Sequence, residues 1–334
     1  MLVPFVIDAD SLAPDPAWTP AQLRACHTDL LDIWQRIGLL IHDAESFQQS
    51  RLNTAVQALP QALRSLWQEL LPRMPLAPCG MGWGGVVRQN NLCDFCASAQ
   101  LALVEDVRAE EEFSFLEDDD EKAVTTSDQH QVDICRLLAA ARAAKFRNAI
   151  ALSSTHIEPG DTYQRTWDDR FRPLAIAPIK NITIVDRYAI KQHFECPQTQ
   201  LSGIVRFLRM LDKDGTGKRY VTLFSAWTEE LADRDIGTVA TELREVLSKL
   251  PNGRIKKLDL IMVPNSNFGM QSHDRYVRFE RYVWDVGCGL EIFEGAAAAR
   301  RSAMAFKTGE AVVGYKDLEH VLANSPRATR MSVR

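Results

Sequence analysis

Apolar residues recur with two different periods in the second half of the chain. Residues 179–185 form a short apolar run that predicts a strand. Leu201, Ile204, Val205, Leu208 and Leu211 then follow helical spacing, so residues 201–211 should be a helix. A glycine-containing turn over 212–217 leads to a predicted strand at 220–226. Val239, Leu243, Val246, Leu247 and Leu250 mark a helix over 236–250, and 258–263 reads as a third strand. Residues 276–279 and 282–286 have the length and spacing of a hairpin. Strand, helix, strand, helix, strand implies a partly parallel sheet covered by helices, with antiparallel strands at one edge.

The first half is more helical in pattern. Residues 4–8 predict a buried strand ending in Asp8 and Asp10. Thr19-Pro20 has the form of an N-cap with proline at the first helical position. Leu23, Leu30, Leu31, Trp34, Ile37 and Leu40 then extend a predicted helix over 20–40. A second helical stretch spans 50–71 with a break near Pro60, and helix is expected again from Gln131 through Ala141. The predicted class is α/β: a helix-rich N-terminal region over 1–175, then a sheet domain with a C-terminal tail over 176–334.

Charge sharpens this division. Residues 1–175 carry 15 Lys+Arg against 25 Asp+Glu, a net −10, whereas 176–334 carry 24 against 19, a net +5. The basic half suits a phosphate-bearing partner, and the acidic half would repel one. Ten acids fall within 105–121, which reads as a solvated, mobile loop. Seven scattered cysteines argue for free thiols in an unsecreted chain. Cys93-x-x-Cys96 is the one close pair, and zinc normally needs two such pairs. No apolar run reaches the roughly 18 residues of a membrane span, and the N-terminus lacks the basic start of a signal peptide. A cytoplasmic chain without a membrane span is expected.

The densest chemistry lies in Ser272-His273-Asp274-Arg275-Tyr276-Val277-Arg278-Phe279, followed by Gly287-Cys288-Gly289-Leu290. Alternate residues of a strand share a face, so His273 and Arg275 should project together. Arginine offers a planar fork to phosphate oxygens, and histidine can act as nucleophile or acid near neutral pH. Asp186 and Arg187 follow a strand's carboxyl end, where open α/β sheets bind ligands. Three readings stand side by side: a local ion-pair network, a non-catalytic phosphate or nucleic-acid site, and a phosphodiesterase.

The order strand-Asp186-Arg187-Tyr188, helix, strand, helix, strand, His273-Asp274-Arg275, hairpin and Gly-x-Gly-Leu resembles the C-terminal domain of MIT-domain proteins over residues 176–296. The resemblance implies a phospholipase-D-like fold. Phospholipase-D enzymes carry His-x-Lys followed four residues later by Asp. The matching positions here are His273, Arg275 and Glu280, which the resemblance casts as catalytic, with Asp186, Arg187, Asp274, Arg278, Gly287 and Gly289 around the phosphate. One motif per chain would require a homodimer for a working site. The implied function is phosphate-centred recognition, foremost of nucleic acid, with nuclease activity in a phage-defence or mobile-element setting as its enzymatic form. The alternative class is a non-enzymatic module that docks a partner protein.

A first strand ending in Asp also resembles the opening of PIN-type nucleases, which gather acids around Mg²⁺ for phosphodiester hydrolysis. That resemblance makes Asp8 and Asp10 metal ligands, with the further acids to come from elsewhere, Glu69, Asp106 or Asp133, among which no spacing selects, and Mg²⁺ the one cofactor implied.

Overall fold

The structure, a computed structural model, describes residues 2–12, 18–78, 99–104, 124–125, 132–197, 199–231, 233–268 and 275–333. Cys79, the 80–85 glycine stretch, Cys93, Cys96, the acidic run at 105–121 and His273-Asp274 lie outside the described residues. Among those described, no helix is long and apolar enough to cross a membrane. The described residues form an α/β structure that divides into two units, Leu2–Ala151 and Leu152–Arg334.

Among the described residues, the first unit is built on a sheet of six strands, where the pattern predicted a helix-rich region with one strand. Its order is β3-β2-β1-β4-β6-β5, from β1 (Val3–Ile7), β2 (Gly38–His42), β3 (Leu76–Pro78), β4 (Leu101–Leu103), β5 (Val124–Thr125) and β6 (Asp133–Cys135). All neighbours are parallel except β5 with β6. β1, β2, β4 and β6 are buried along their whole length, as parallel strands with both faces covered must be. α1 (Pro20–Ile37) begins where expected, with a reciprocal Thr19–Gln22 capping box and Pro20 in the first turn. It stops before 40, because Gly38 leads straight into β2. A Cβ at Gly38 would stand 2.8 Å from both the Phe5 ring and the Trp34 backbone, so only glycine permits that crossing. α2 (Arg51–Ala58) and α3 (Gln61–Leu70) flank Pro60 as predicted. The helix expected from Gln131 is instead β6, a short 3₁₀ segment and α4 (Ala144–Leu152). Ile134 pairs with Ala102 of β4, and that sheet contact overrides the local helical spacing.

The second unit starts at 152, not 176. Residues 163–176, including α5 (Tyr163–Thr166) and α6 (Arg172–Ile176), bring Trp167 and Phe171 into its core. Phe171 meets Phe293 at 5.3 Å, Phe207 at 6.0 Å and Trp284 at 6.1 Å between ring centroids. Around this core a seven-stranded sheet runs β12-β11-β10-β7-β8-β9-β13. β7 (Asn181–Asp186), β8 (Arg219–Trp227) and β9 (Ile255–Pro264) are parallel, as the alternating pattern predicted. α7 (Ala189–Glu195) and α8 (Gly203–Asp214) connect the first pair, and α9 (Ile236–Ser248) the second. β10 (Arg275–Phe279) and β11 (Tyr282–Val286) form the expected hairpin, with β10 antiparallel to β7.

The segment after 296, expected as a tail, supplies β12 (Met304–Lys307), α10 (Val313–Ala323) and β13 (Thr329–Ser332). β12 and β13 close the two edges of the sheet. α10 buries Tyr315, Leu318 and Leu322 against Val185, Phe224, Ile261 and Tyr276. Its outward residues include Val313 and Val321, 57% and 51% exposed, so its apolar positions form no single stripe.

Candidate phosphate site

Asp186 closes β7 at the sheet's carboxyl end and is 1% exposed. Its Oδ1 accepts the Tyr188 N–H at 3.0 Å, and its Oδ2 the Leu290 N–H at 2.7 Å. The second bond demands the glycine before Leu290. Gly289 has φ of 62°, and a Cβ there would overlap the Asp186 carboxylate. Asp186 and Gly289 therefore form a clamp between β7 and the 3₁₀ turn Gly289–Phe293. The Asp186 carboxylate, buried and already receiving two N–H groups, would repel an anion, which corrects its expected place around a phosphate.

Arg275 opens β10 opposite Asp186 in register. Its Nη1 donates to the Gly287 carbonyl at 3.2 Å, and its guanidinium carbon lies 4.7 Å from the centroid of the Tyr188 ring. Its Nε has no hydrogen-bond partner among the described residues. Arg187 approaches the same ring at 5.2 Å, steered by a 2.7 Å bond from its Nε to the Asn265 Oδ1. The Arg187 backbone is pinned as well, because its carbonyl accepts the Ala226 N–H and the Ser225 hydroxyl. Tyr188 is thus gripped by two guanidiniums beyond the carboxyl ends of β7 and β8. Gly287 contributes through its backbone: its carbonyl holds Arg275, and its N–H binds the Ala303 carbonyl.

Arg278 and Glu280 are not part of this group. Arg278 is three positions along the strand and faces the opposite side of the sheet. There it donates through Nε and Nη2 to both Glu319 oxygens, through Nη2 to Thr183 at 2.9 Å, and through Nη1 to the Glu280 carbonyl at 2.7 Å. Those bonds fasten α10 to the sheet. Glu280 occupies the β10–β11 turn with φ of 51°, and its Oε1 accepts the N–H groups of Lys180 and Asn181 at 3.0 and 3.3 Å. Five strand positions put it about 16 Å from Arg275, so the expected grouping of Arg275 with Glu280 does not form. His273 and Asp274 lie outside the described residues.

Tyr188 was missing from the sequence-based site, and its place there depends on β7 and β10 becoming neighbours. A second constellation left no sequence signal. His193 Nδ1 lies 2.7 Å from the Ser202 Oγ, and its Nε2 lies 3.6 Å from Glu242. Burial lowers the His193 pKa, with Arg234 adding to the shift, which favours the neutral ring. Ser202 is 3% exposed, which makes its hydroxyl a partner for His193 inside the α7–α8 connection.

In the first unit, Asp8 stands past the carboxyl end of β1, beside β4. Its N–H donates to the Leu103 carbonyl at 2.8 Å, and that carbonyl also accepts the Ser11 hydroxyl at 3.0 Å. The order β3-β2-β1-β4 reverses direction here, which is where open α/β sheets bind ligands. A Mg²⁺ site would need more donors than this. Asp10 is exposed in the following 3₁₀ turn, and Glu69 is exposed on α3. Asp133 sits at the other end of its strand, with its Oδ2 accepting the Lys145 N–H at 2.6 Å. Asp106 lies outside the described residues. Among those described, no three His, Cys, Asp or Glu side chains converge as a metal site, so Asp8, Asp10, Glu69 and Asp133 do not by themselves fit Mg²⁺. No protein-family model matches the chain, and no curated protein matches it in sequence.

Proposed function

We propose that the second unit recognises phosphate groups, foremost those of nucleic acid, through Arg187 and Arg275 at Tyr188. The observation that carries this reading is the convergence of two guanidiniums on one ring while the Nε of Arg275 has no hydrogen-bond partner among the described residues. Two guanidiniums at one ring favour an anion, and a phosphate would engage their donors in a forked geometry. The position beyond the carboxyl ends of β7 and β8 agrees with the ligand crevice of open α/β sheets. The order of elements is compatible with a phospholipase-D-like domain. The distance from Arg275 to Glu280 weighs against the phosphodiesterase form of that resemblance, and with it against the need for a homodimer.

The test is nucleic-acid binding across a salt series. Arg275→Ala should weaken binding to duplex DNA and reduce the slope of log K against log salt by about 0.9, the share of a single phosphate. Arg187→Ala should act in the same way. Unchanged affinity and slope in both variants, with melting temperatures unaltered, would reject the site.

A further inference from the structure

We infer that the amino ends of β7, β8 and β9 form a platform for single-stranded nucleic acid, centred on Tyr220. This goes beyond the Tyr188 reading and does not depend on it, since the two places lie at opposite ends of β7.

Tyr220 is 41% exposed, although it sits in the central strand of three. It pairs in register with Asn181 of β7 and Lys257 of β9, and all three side chains are exposed. The cause is the reach of α10. That helix covers this face of the sheet as far as Thr183, whose hydroxyl donates to Glu319 at 3.3 Å. Thr183 is level with Thr222, so the row of Asn181, Tyr220 and Lys257 is the next one along, beyond the helix. Among the described residues the Tyr220 ring stacks on no aromatic ring, lies under no cation, and its hydroxyl has no partner. A flat aromatic face is therefore open to solvent.

Lysines lie near it in register and in sequence. Lys180 precedes β7, and its carbonyl accepts the Tyr220 N–H at 2.9 Å. Lys218 lies two residues before Tyr220, and Lys256 stands next to Lys257. All four lysines are exposed: Lys256 and Lys257 lie on β9, and Lys180 and Lys218 directly precede β7 and β8. Lys257 pairs with Asp259 at 2.6 Å, but that pair is half exposed and easily exchanged for a phosphate. Lys180, Lys218 and Lys256 make no ion pair among the described residues. The acid nearby, Glu280, is turned to the backbone N–H groups of Lys180 and Asn181. An exposed aromatic ring among mobile cations on an uncovered sheet face is how unpaired bases are stacked while the backbone is neutralised. Duplex bases offer no free face to such a ring. An anionic membrane surface is a poorer fit, because interfacial docking needs an apolar face and Tyr220 is flanked by Asn181 and Thr222.

The test uses the full chain and a fluorescein-labelled oligothymidine, read by anisotropy, with a duplex of equal length and phosphatidylserine vesicles as comparison probes. Tyr220→Ala should weaken oligothymidine binding roughly ten-fold, while Tyr220→Phe, which keeps the ring, stays within about two-fold of wild type. Replacing Lys180, Lys218 and Lys256 with Gln should lower the salt slope by about 0.7 for each phosphate no longer neutralised. The loss caused by Tyr220→Ala should persist in an Arg275→Ala background. Tyr220 is exposed, so an unchanged melting temperature can be checked directly. Equal binding by wild type and Tyr220→Ala would overturn the platform, as would a preference for the duplex or for vesicles carried by the same lysines. Loss with Arg275→Ala but not Tyr220→Ala would assign the binding to the Tyr188 site and reject this one.

Discussion

The Nε1 of Trp67 donates a hydrogen bond to the Nδ1 of His27 at 3.0 Å, and both side chains are fully buried. The bond fixes the histidine's chemistry. Nδ1 must accept, so the neutral ring carries its proton on Nε2. Protonating Nδ1 would turn one donor against another in a site without solvent, and burial lowers the His27 pKa to about 4.

Stability of the first unit should therefore fall with acid. The unfolded histidine titrates near 6.5, above its folded pKa of about 4. Between those values the unfolded chain binds more protons, so stability declines as pH falls through that window and is flat above it. The expected loss is roughly 3 kcal/mol at the acid end. Burial lowers the pKa of His42 as well, which steepens the same decline. Denaturant midpoints measured from pH 7 to pH 4 check this. His27→Gln keeps an acceptor for Trp67 without a titrating ring, and a profile as steep as wild type would show that His27 is not responsible.

Gly289 should tolerate no side chain. Gly289→Ala sets a Cβ into the Asp186 carboxylate in a left-handed backbone, and should cost roughly 3 kcal/mol or more. Asp186→Asn leaves one of the two N–H groups facing an amide donor or a weaker acceptor, and should cost about 1–3 kcal/mol. Because the clamp also positions Tyr188, both variants should weaken phosphate binding together with stability. Thermal denaturation of Gly289→Ala indistinguishable from wild type would refute the clamp.

The boundary at 152 has a direct consequence for fragments. A chain of residues 152–334 should fold cooperatively, whereas 176–334 lacks Trp167 and Phe171 and should not. Removing two fully buried aromatic side chains costs about 3–5 kcal/mol each, comparable to the stability of a whole domain. Circular dichroism and unfolding of the two fragments decide the matter. Equal stability would mean that the aromatic core closes without residues 152–175.

Chemistry contained within one element was legible from the sequence. Thr19, Pro20 and Gln22 mark where α1 begins, because capping involves residues three apart. The helical stripes of 203–214 and 236–248 and the strands between them could be read from periodicity alone, since each buries one contiguous face. The α/β class and the hairpin at 275–286 follow from that alternation. What pairs with what was decided only by tertiary structure. Residues 38–42 and 133–135 are too short and apolar for their period to separate strand from helix, and their sheet neighbours made the choice. Alternation along β10 says that Arg275 and Arg278 face opposite ways. Which face is covered depends on Glu319, some forty residues later, in a helix whose outward valines disguise its buried side. Tyr188 and Tyr220 acquire meaning in the same way, one because Arg275 of β10 reaches a ring that Arg187 already flanks, the other because α10 ends one row short of it. Such contacts join distant parts of the chain, and no local pattern encodes them.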